Sequence, residues 1–190
     1  VLDLRSDPGG YLDQAVKICD MFIKSGVIVS TRRRHDHIFR VFNAKEEGTL
    51  KDFPMVILVD KYTASASEIL AACLQDHKRA IVVGERTFGK GTIQELIGLE
   101  SRRGMLKLTT GTYWRPSEKD INRRKGDDED DDWGVQPDKG FEVASPEIPH
   151  ESEEDSQEDA KKDDKQKVKP DDPQLEKALE YLRSKLGGKS

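Results

Sequence analysis

The chain predicts an α/β fold, and three observations carry that prediction. PMVILVD (Pro54–Asp60) and AIVVGE (Ala80–Glu85) are continuous apolar runs, the composition of strands buried on both faces. Apolar positions at helical spacing separate the strand-like segments. Strands and helices also follow one another in an order that needs crossover connections.

Taken in order, VLDLR (Val1–Arg5) reads as a short apolar strand and SDPGG (Ser6–Gly10) as a turn. Leu12, Ala15, Val16, Cys19, Phe22 and Ile23 then repeat at helical spacing, with Gly26 as the stop. VIVSTR (Val27–Arg32) and HIFRVFNA (His37–Ala44) predict strands on either side of a charged turn. The run from Pro54 is expected to be a central strand. The segment Ala66–Lys78 predicts a helix with Ile69, Leu70, Cys73 and Leu74 inward, and Ala80–Glu85 a second buried strand. TFGKG is a glycine turn, and TIQELIGLE and MLKLTTGTYW are strands on either side of SRRG. Near the end, Asp172 is placed to cap a helix, Pro173 suits its first position, and Gly187 stops it. Leu175, Ala178, Leu179, Leu182 and Leu186 form its apolar face, expected to pack on the core or on a partner.

The 190 residues are 34% hydrophobic and 36% charged, but the charge is unevenly spread. Residues 1–115 hold nearly all the aliphatic runs, whereas 117–172 are mostly Asp, Glu, Lys, Ser and Pro. The expected division is a core over 1–145, a charged disordered linker over 146–172 and an amphipathic helix over 173–187. DDEDDD (Asp127–Asp132) is expected at a loop tip. A net charge of −5, with Arg32–Arg34 and Arg123–Lys125 as the basic triplets, argues against a nucleic-acid partner. Cys19 and Cys73 both fall in apolar helical patterns and read as buried small hydrophobes. No CxxC and no paired His/Cys spacing occurs, so no metal site and no cofactor are expected. No apolar run is long enough to span a bilayer. The chain opens inside a strand, so its expected reading is a core lacking its N-terminal part.

One constellation carries chemistry. Ser65 stands where a buried strand meets a helix, and free N–H groups and the positive dipole end gather at such a helix mouth. Those groups suit a developing oxyanion. Ala64 and Ala66 leave room for a substrate backbone. A serine needs a base within hydrogen-bond reach. His35 and His37 lie in a charged turn, His77 at a helix end and His150 in the linker, so none is aimed at Ser65. Lys90 lies between two glycines after a buried strand, and a neutral lysine is a competent base. The plainer alternative is a helix cap at Ser65 and a surface lysine at Lys90. DPGG (Asp7–Gly10) is a third place where backbone amides can point at a ligand.

LDLRSDPGG, YTASASEILAACLQDHKRAIVVGERTFGKGTIQ and GVQPD together resemble the carboxy-terminal processing, or tail-specific, proteases of serine peptidase family S41. The resemblance runs in the same order over roughly residues 1–143, and DDPQLEKALEYL looks like that family's terminal helix. It implies a ClpP/crotonase-like core of stacked β/α units and a Ser–Lys endopeptidase working through an acyl-enzyme. Ser65 matches the nucleophile, Lys90 the general base and Gln94 the residue that orients the lysine. The backbone amides of Ala66 and of Gly9 or Gly10 match the oxyanion hole. Asp76 matches an acidic position read as structural support. Ser67 is the competing hydroxyl, with helix capping as its expected job, and Glu68 could complete the helix start electrostatically. The resemblance further implies substrates that are unfolded or C-terminal protein segments and an upstream PDZ domain absent from this chain. It also implies an extracytoplasmic site and a possible homo-oligomer. The acidic insertion Lys119–Asp132 departs from the family pattern and bears on substrate access and assembly. Two rivals from other classes are a non-catalytic scaffold built on the same core and a crotonase-type acyl-CoA enzyme.

Overall fold

The computed structural model describes residues 1–99, 104–145 and 172–187. The expected SRRG turn, apart from Gly104, and the expected linker 146–172, apart from Asp172, lie outside the described residues. In chain order the elements are β1 (Leu2–Asp3), α1 (Leu12–Asp20), β2 (Val27–Arg32), β3 (Ile38–Asn43), β4 (Val56–Val59), α2 (Ala66–Asp76), β5 (Ile81–Gly84), β6 (Thr92–Gly98), β7 (Met105–Trp114) and α3 (Pro173–Leu186). A single 3-10 turn at Arg34–Asp36 joins β2 to β3. The fold is mixed α/β, as expected.

The strands fall into two sheets. A parallel sheet has the order β1-β4-β5, with Leu2 opposite Ile57 and Leu58 opposite Val83. The antiparallel sheet has the order β3-β2-β7-β6. The reason β4 reads as an unbroken apolar run is now visible. Ile57 and Val59 join the core formed with α1 and α2, while Val56 and Leu58 pack with Val83 against Ala178 of α3. Side chains alternate along a strand, so a sheet covered on both faces needs apolar residues at every position.

Two helix expectations are corrected. The first helix ends at Asp20, not at Gly26. The N–H groups of Phe22 and Ile23 both fall on the Cys19 carbonyl, which tightens the chain out of the helix, although Ile23 is still buried. In α3, Leu186 is 65% exposed and does not belong to the packed face. A helix of this length spans roughly 21 Å, whereas the strands beneath it, each four residues long, span roughly 13 Å. The last turn therefore overhangs the sheet. Cys19 and Cys73 are buried free thiols in the core, as expected.

Asp76, at the end of α2, ties that helix to the end of β7. Arg115, which follows β7, donates from Nε and Nη2 to its two carboxylate oxygens at 3.0 and 2.6 Å, and Nη2 also donates to Gln75 Oε1 at 2.7 Å. Burial by itself pushes the Asp76 carboxyl up, but the hydrogen bonds and charge of Arg115 outweigh it and hold the group below its usual range. A depressed carboxylate contributes stability above its unfolded pKa and loses it as pH falls through the folded one. The melting temperature is therefore expected to drop below about pH 4, and Arg115→Gln should flatten that acid limb. An unchanged limb in the variant, followed by thermal melts from neutral to acid pH, would assign the acid sensitivity to other groups.

Candidate active site

Ser65 is the N-cap of α2, with φ 58° and ψ −119°. A non-glycine residue in that region is strained by about 1–3 kcal/mol, and such strain persists only where the surroundings over-determine the backbone. Here they do. Ala64 N–H donates to the Asp7 carbonyl at 2.9 Å, and the Ser65 carbonyl accepts from Glu68 and Ile69. Ser65 N–H donates to Glu68 Oε2 at 2.8 Å. The strained turn lifts Ser65 to a half-buried position at the helix mouth, while Ser67 is only 5% exposed. Of the two hydroxyls, Ser65 is the one a substrate can reach.

Glu68 is the residue that organises the site, and its sequence reading as an electrostatic complement to the helix start missed most of what it does. It is fully buried. Oε2 accepts from the backbone N–H groups of Ser65 and Lys90, both at 2.8 Å. Oε1 accepts from Gly89 N–H at 2.7 Å and from the Thr87 hydroxyl at 2.6 Å. Burial pushes the carboxyl up from its ordinary value, and these four donors oppose the shift. One carboxylate thus clasps the helix that starts at Ser65 to the glycine turn that carries Lys90. A capping-box spacing was legible at Ser65–Glu68. The contacts to Gly89 and Lys90 join residues far apart in the chain and leave no local signal.

The glycine turn is as tight as its composition implies. Gly89 has φ +80°, and a Cβ there would lie 2.8 Å from Arg123 Cβ and 2.9 Å from the Trp133 ring. The Lys90 side chain is exposed and lines an open cleft of about 630 Å³ together with Lys61, Phe88, Arg123 and Trp133. Among the described residues, no hydrogen bond joins Lys90 Nζ to Ser65 Oγ. The structure brings the two backbones together on one carboxylate oxygen and does not join the two functional groups by a hydrogen bond. Gln94 lies on β6, exposed and opposite Thr109, with a β-bulge between it and Ile93. Among the described residues it makes no hydrogen bond with Lys90.

The turn from Ser6 to Gly10 packs directly on the helix mouth. Gly9 has φ +86°, and a Cβ there would fall 2.5 Å from the Ala64 carbonyl oxygen and 2.7 Å from Ala66 N. Gly9 N–H is already taken by Asp7 Oδ1 at 2.9 Å. The N–H groups of Gly10 and Ala66 have no hydrogen-bond partner among the described residues. Two further residues hold this arrangement and were not singled out by their sequence. Buried Asp60 accepts from Ser6 N–H, Tyr62 N–H and Thr63 N–H, and the Thr63 hydroxyl donates to the Leu4 carbonyl at 2.7 Å. They tie the C-terminal ends of β1 and β4, the end of a parallel sheet at which ligands bind in open α/β folds.

The acidic insertion folds back onto this region. Arg86 donates to the backbone carbonyls of Trp133, Glu129 and Asp131, and its guanidinium stacks 3.6 Å from the Trp133 ring. Arg123 stacks on the same ring at 4.2 Å, and Glu129 reaches the rim of the Lys90 cleft.

Comparison with known proteins places these features in a family. The chain matches Peptidase family S41 over residues 1–140. It is 47% identical over 117 residues to a carboxy-terminal-processing protease of Bartonella bacilliformis, a match that covers 62% of this chain and 27% of that protein. A carboxyl-terminal-processing protease of Picosynechococcus is 46% identical over 123 residues, 65% of this chain and 29% of the relative. Among solved structures, the photosystem II D1 C-terminal processing protease superposes with a TM-score of 0.65 at 34% identity, covering 75% of this chain and 34% of that one. The chain therefore spans less than a third of the length of these curated relatives. The family match reaches from the Ser6–Gly10 turn through Ser65, Glu68 and Lys90 to the segment after Trp133, and on that extent the chain belongs to peptidase family S41.

Proposed function

We propose that this chain carries the nucleophile and base of a serine endopeptidase that hydrolyses peptide bonds near the C-terminus of protein substrates. The observation that carries the reading is the shared carboxylate oxygen of Glu68, which holds the Ser65 and Lys90 amides 2.8 Å away on either side. In the proposed reaction, neutral Lys90 takes the Ser65 hydroxyl proton as the oxygen attacks the scissile carbonyl. The amides of Ala66 and Gly10 receive the oxyanion. Protonated Lys90 then gives its proton to the departing amine, leaving an acyl-enzyme. Water enters, Lys90 accepts its proton, and collapse of the second tetrahedral intermediate releases the new carboxylic acid as Lys90 returns the proton to Ser65 Oγ. A lysine base acts in its neutral form, which burial favours. A substrate segment lying over the helix mouth would exclude water from the amine and bring Nζ toward Oγ. Gln94 orients that amine once it is covered.

Of the two candidate glycines, the free amide favours Gly10, with Gly9 as the residue that permits close packing. Gly10→Ala should keep most activity, because nothing lies within 4 Å of a Cβ there. Gly9→Ala should lose on the order of a hundredfold, since its Cβ would displace the oxyanion turn by about an ångström. Comparable activity of the two variants on an unstructured peptide would remove Gly9 from this role.

Residues 1–145 are read as part of a ClpP/crotonase-like catalytic core, 146–172 as a linker and 173–187 as a helix returning to it. A PDZ domain, assembly with further copies and an extracytoplasmic location remain parts of the same proposal, supported by family membership. The test of the function is cleavage of an unstructured peptide with an apolar C-terminus by the intact enzyme, with the products identified by mass. Cuts near the C-terminus that vanish on modification of Ser65 support the reading. A peptide left whole, with no acylation of Ser65 by a serine-reactive probe, points to a scaffold that keeps the protease core.

A further inference from the structure

The first turn of α3 sits at the same C-terminal end of the parallel strands as the oxyanion turn, and one side chain links it to the residue that precedes that turn. Arg5 lies between β1 and the Ser6–Gly10 turn. It donates from Nε and Nη2 to Asp3 at 2.9 and 2.6 Å. Its Nη1 donates to Asp172 Oδ1 at 2.9 Å and to Gln174 Oε1 at 3.4 Å. The same Asp172 oxygen caps α3 by accepting Leu175 N–H at 3.0 Å. Gln174 is fully buried, and its amide donates to the Val143 carbonyl at 2.8 Å. On a helix that otherwise packs through Leu175, Ala178, Tyr181 and Leu182, a buried polar side chain is tolerated because these hydrogen bonds satisfy it, and they fix its position.

We propose that Asp172 and Gln174 are positioning residues for the oxyanion turn. They hold Arg5, and through it the end of β1 and the Ser6–Gly10 turn, in register with the mouth of α2. The chain geometry supports this coupling. The next residue is held by Asp60, which accepts both Ser6 N–H and the Ser6 hydroxyl, and the Asp7 carbonyl accepts Ala64 N–H from the mouth of α2. Arg5, Ser6 and Asp7 thus form the stem from which the Gly9–Gly10 end of the turn projects. Releasing Arg5 loosens the start of that stem and lets the Gly10 amide shift relative to Ser65. Charge-assisted bonds such as Arg5–Asp172 are about twice as strong as neutral ones, and the pair is sheltered, with exposures of 18% and 25%. Residues 146–171 separate this helix from the core in sequence, so the active site is completed by the far end of the chain. The catalytic part of this inference rests on the function proposed above; the structural part does not.

The test uses Asp172→Asn in the intact protein. Asparagine caps a helix as well as aspartate does, so α3 should stay docked while the charge facing Arg5 is lost. Hydrogen exchange of the segment spanning Leu4–Leu12 is expected to quicken by about tenfold or more, with the interior of α2 and β4 unchanged. Turnover is expected to fall by about tenfold at nearly constant KM, because a shift of the oxyanion donors acts on the transition state. Asp172→Glu should recover part of both effects. Unchanged exchange in the turn overturns the proposal whatever the activity does. Quickened exchange with unaltered turnover overturns the catalytic part. A wild-type protein that cuts nothing overturns the proposed function and leaves the exchange result to decide the coupling.

Discussion

On the proposed function, Ser65→Ala and Lys90→Ala are each expected to lower kcat/KM by on the order of 10⁴-fold or more, with the fold retained. The magnitude follows from residues that act as one unit, where removing either member forfeits nearly the whole contribution of the pair. The two variants and their double should therefore fall to the same residual rate, set by the oxyanion amides and substrate binding alone. Additive losses in the double mutant would show that lysine does not act on the serine. Stability should separate the two. Ser65→Ala removes a hydroxyl from a strained N-cap and is expected to cost about 1 kcal/mol. Lys90 is exposed, and its replacement should leave the melt nearly unmoved. Steady-state kinetics on an unstructured peptide, with parallel thermal melts, checks both statements.

Glu68→Ala is the second large effect, and it strikes fold and site together. The substitution strands three backbone N–H groups and the Thr87 hydroxyl, all of which now end on one buried carboxylate. Removing one partner from a buried charged network costs about 3–5 kcal/mol, so this variant is expected to be poorly folded. Glu68→Gln is the sharper probe. Each carboxylate oxygen accepts from two donors, and an amide nitrogen can accept from neither. With the amide nitrogen at the Oε2 place the Ser65 and Lys90 N–H groups face another donor, and at the Oε1 place Gly89 N–H does while the Thr87 hydroxyl can turn to accept. The expected outcome is a folded protein with a lowered melting temperature and turnover reduced by about a hundredfold, since displacements of an ångström between catalytic groups have that size of effect. Full activity in a well-folded Glu68→Gln protein would mean that the clasp is ornamental and that Ser65 and Lys90 find each other by other means.

The same two experiments bear on how the exposed lysine becomes a base. In the structure Ser65 and Lys90 share backbone supports, yet their side chains are not joined. If a substrate completes the pair, a covalent probe too small to cover the helix mouth should label Ser65 slowly, whereas a peptide-length probe should label it fast. The open cleft beside Lys90, with Phe88 and Trp133 in its wall, is the surface such a peptide would shield first.

Much of the fold was legible along the chain because it rests on local patterns. The unbroken apolar run of β4 followed from burial on two faces, and the spacing of Ile69, Leu70, Cys73 and Leu74 marked α2, although every residue from Ala66 to Leu74 is buried. Asp172, Pro173 and Gly187 marked the last helix because capping chemistry is local. The boundary at Asp20 was misplaced because the apolar spacing continues through Phe22 and Ile23. Those residues reach the core from a tight turn rather than from a helix.

Ser65, Lys90 and the Gly9–Gly10 turn could likewise be named from the sequence, since a serine at a helix mouth and a lysine between glycines are short patterns with a chemical reason. What only the tertiary structure decided is how these pieces are held. Glu68 reaches Gly89 and Lys90, Asp60 reaches Ser6, and Arg5 reaches Asp172, each across a long stretch of chain. A buried polar group satisfies its hydrogen bonds with whatever the fold brings beside it, and sequence order carries no record of that partner. The sequence by itself determined most of the elements and marked the candidate residues, and the tertiary structure determined the clasps that hold their backbones together.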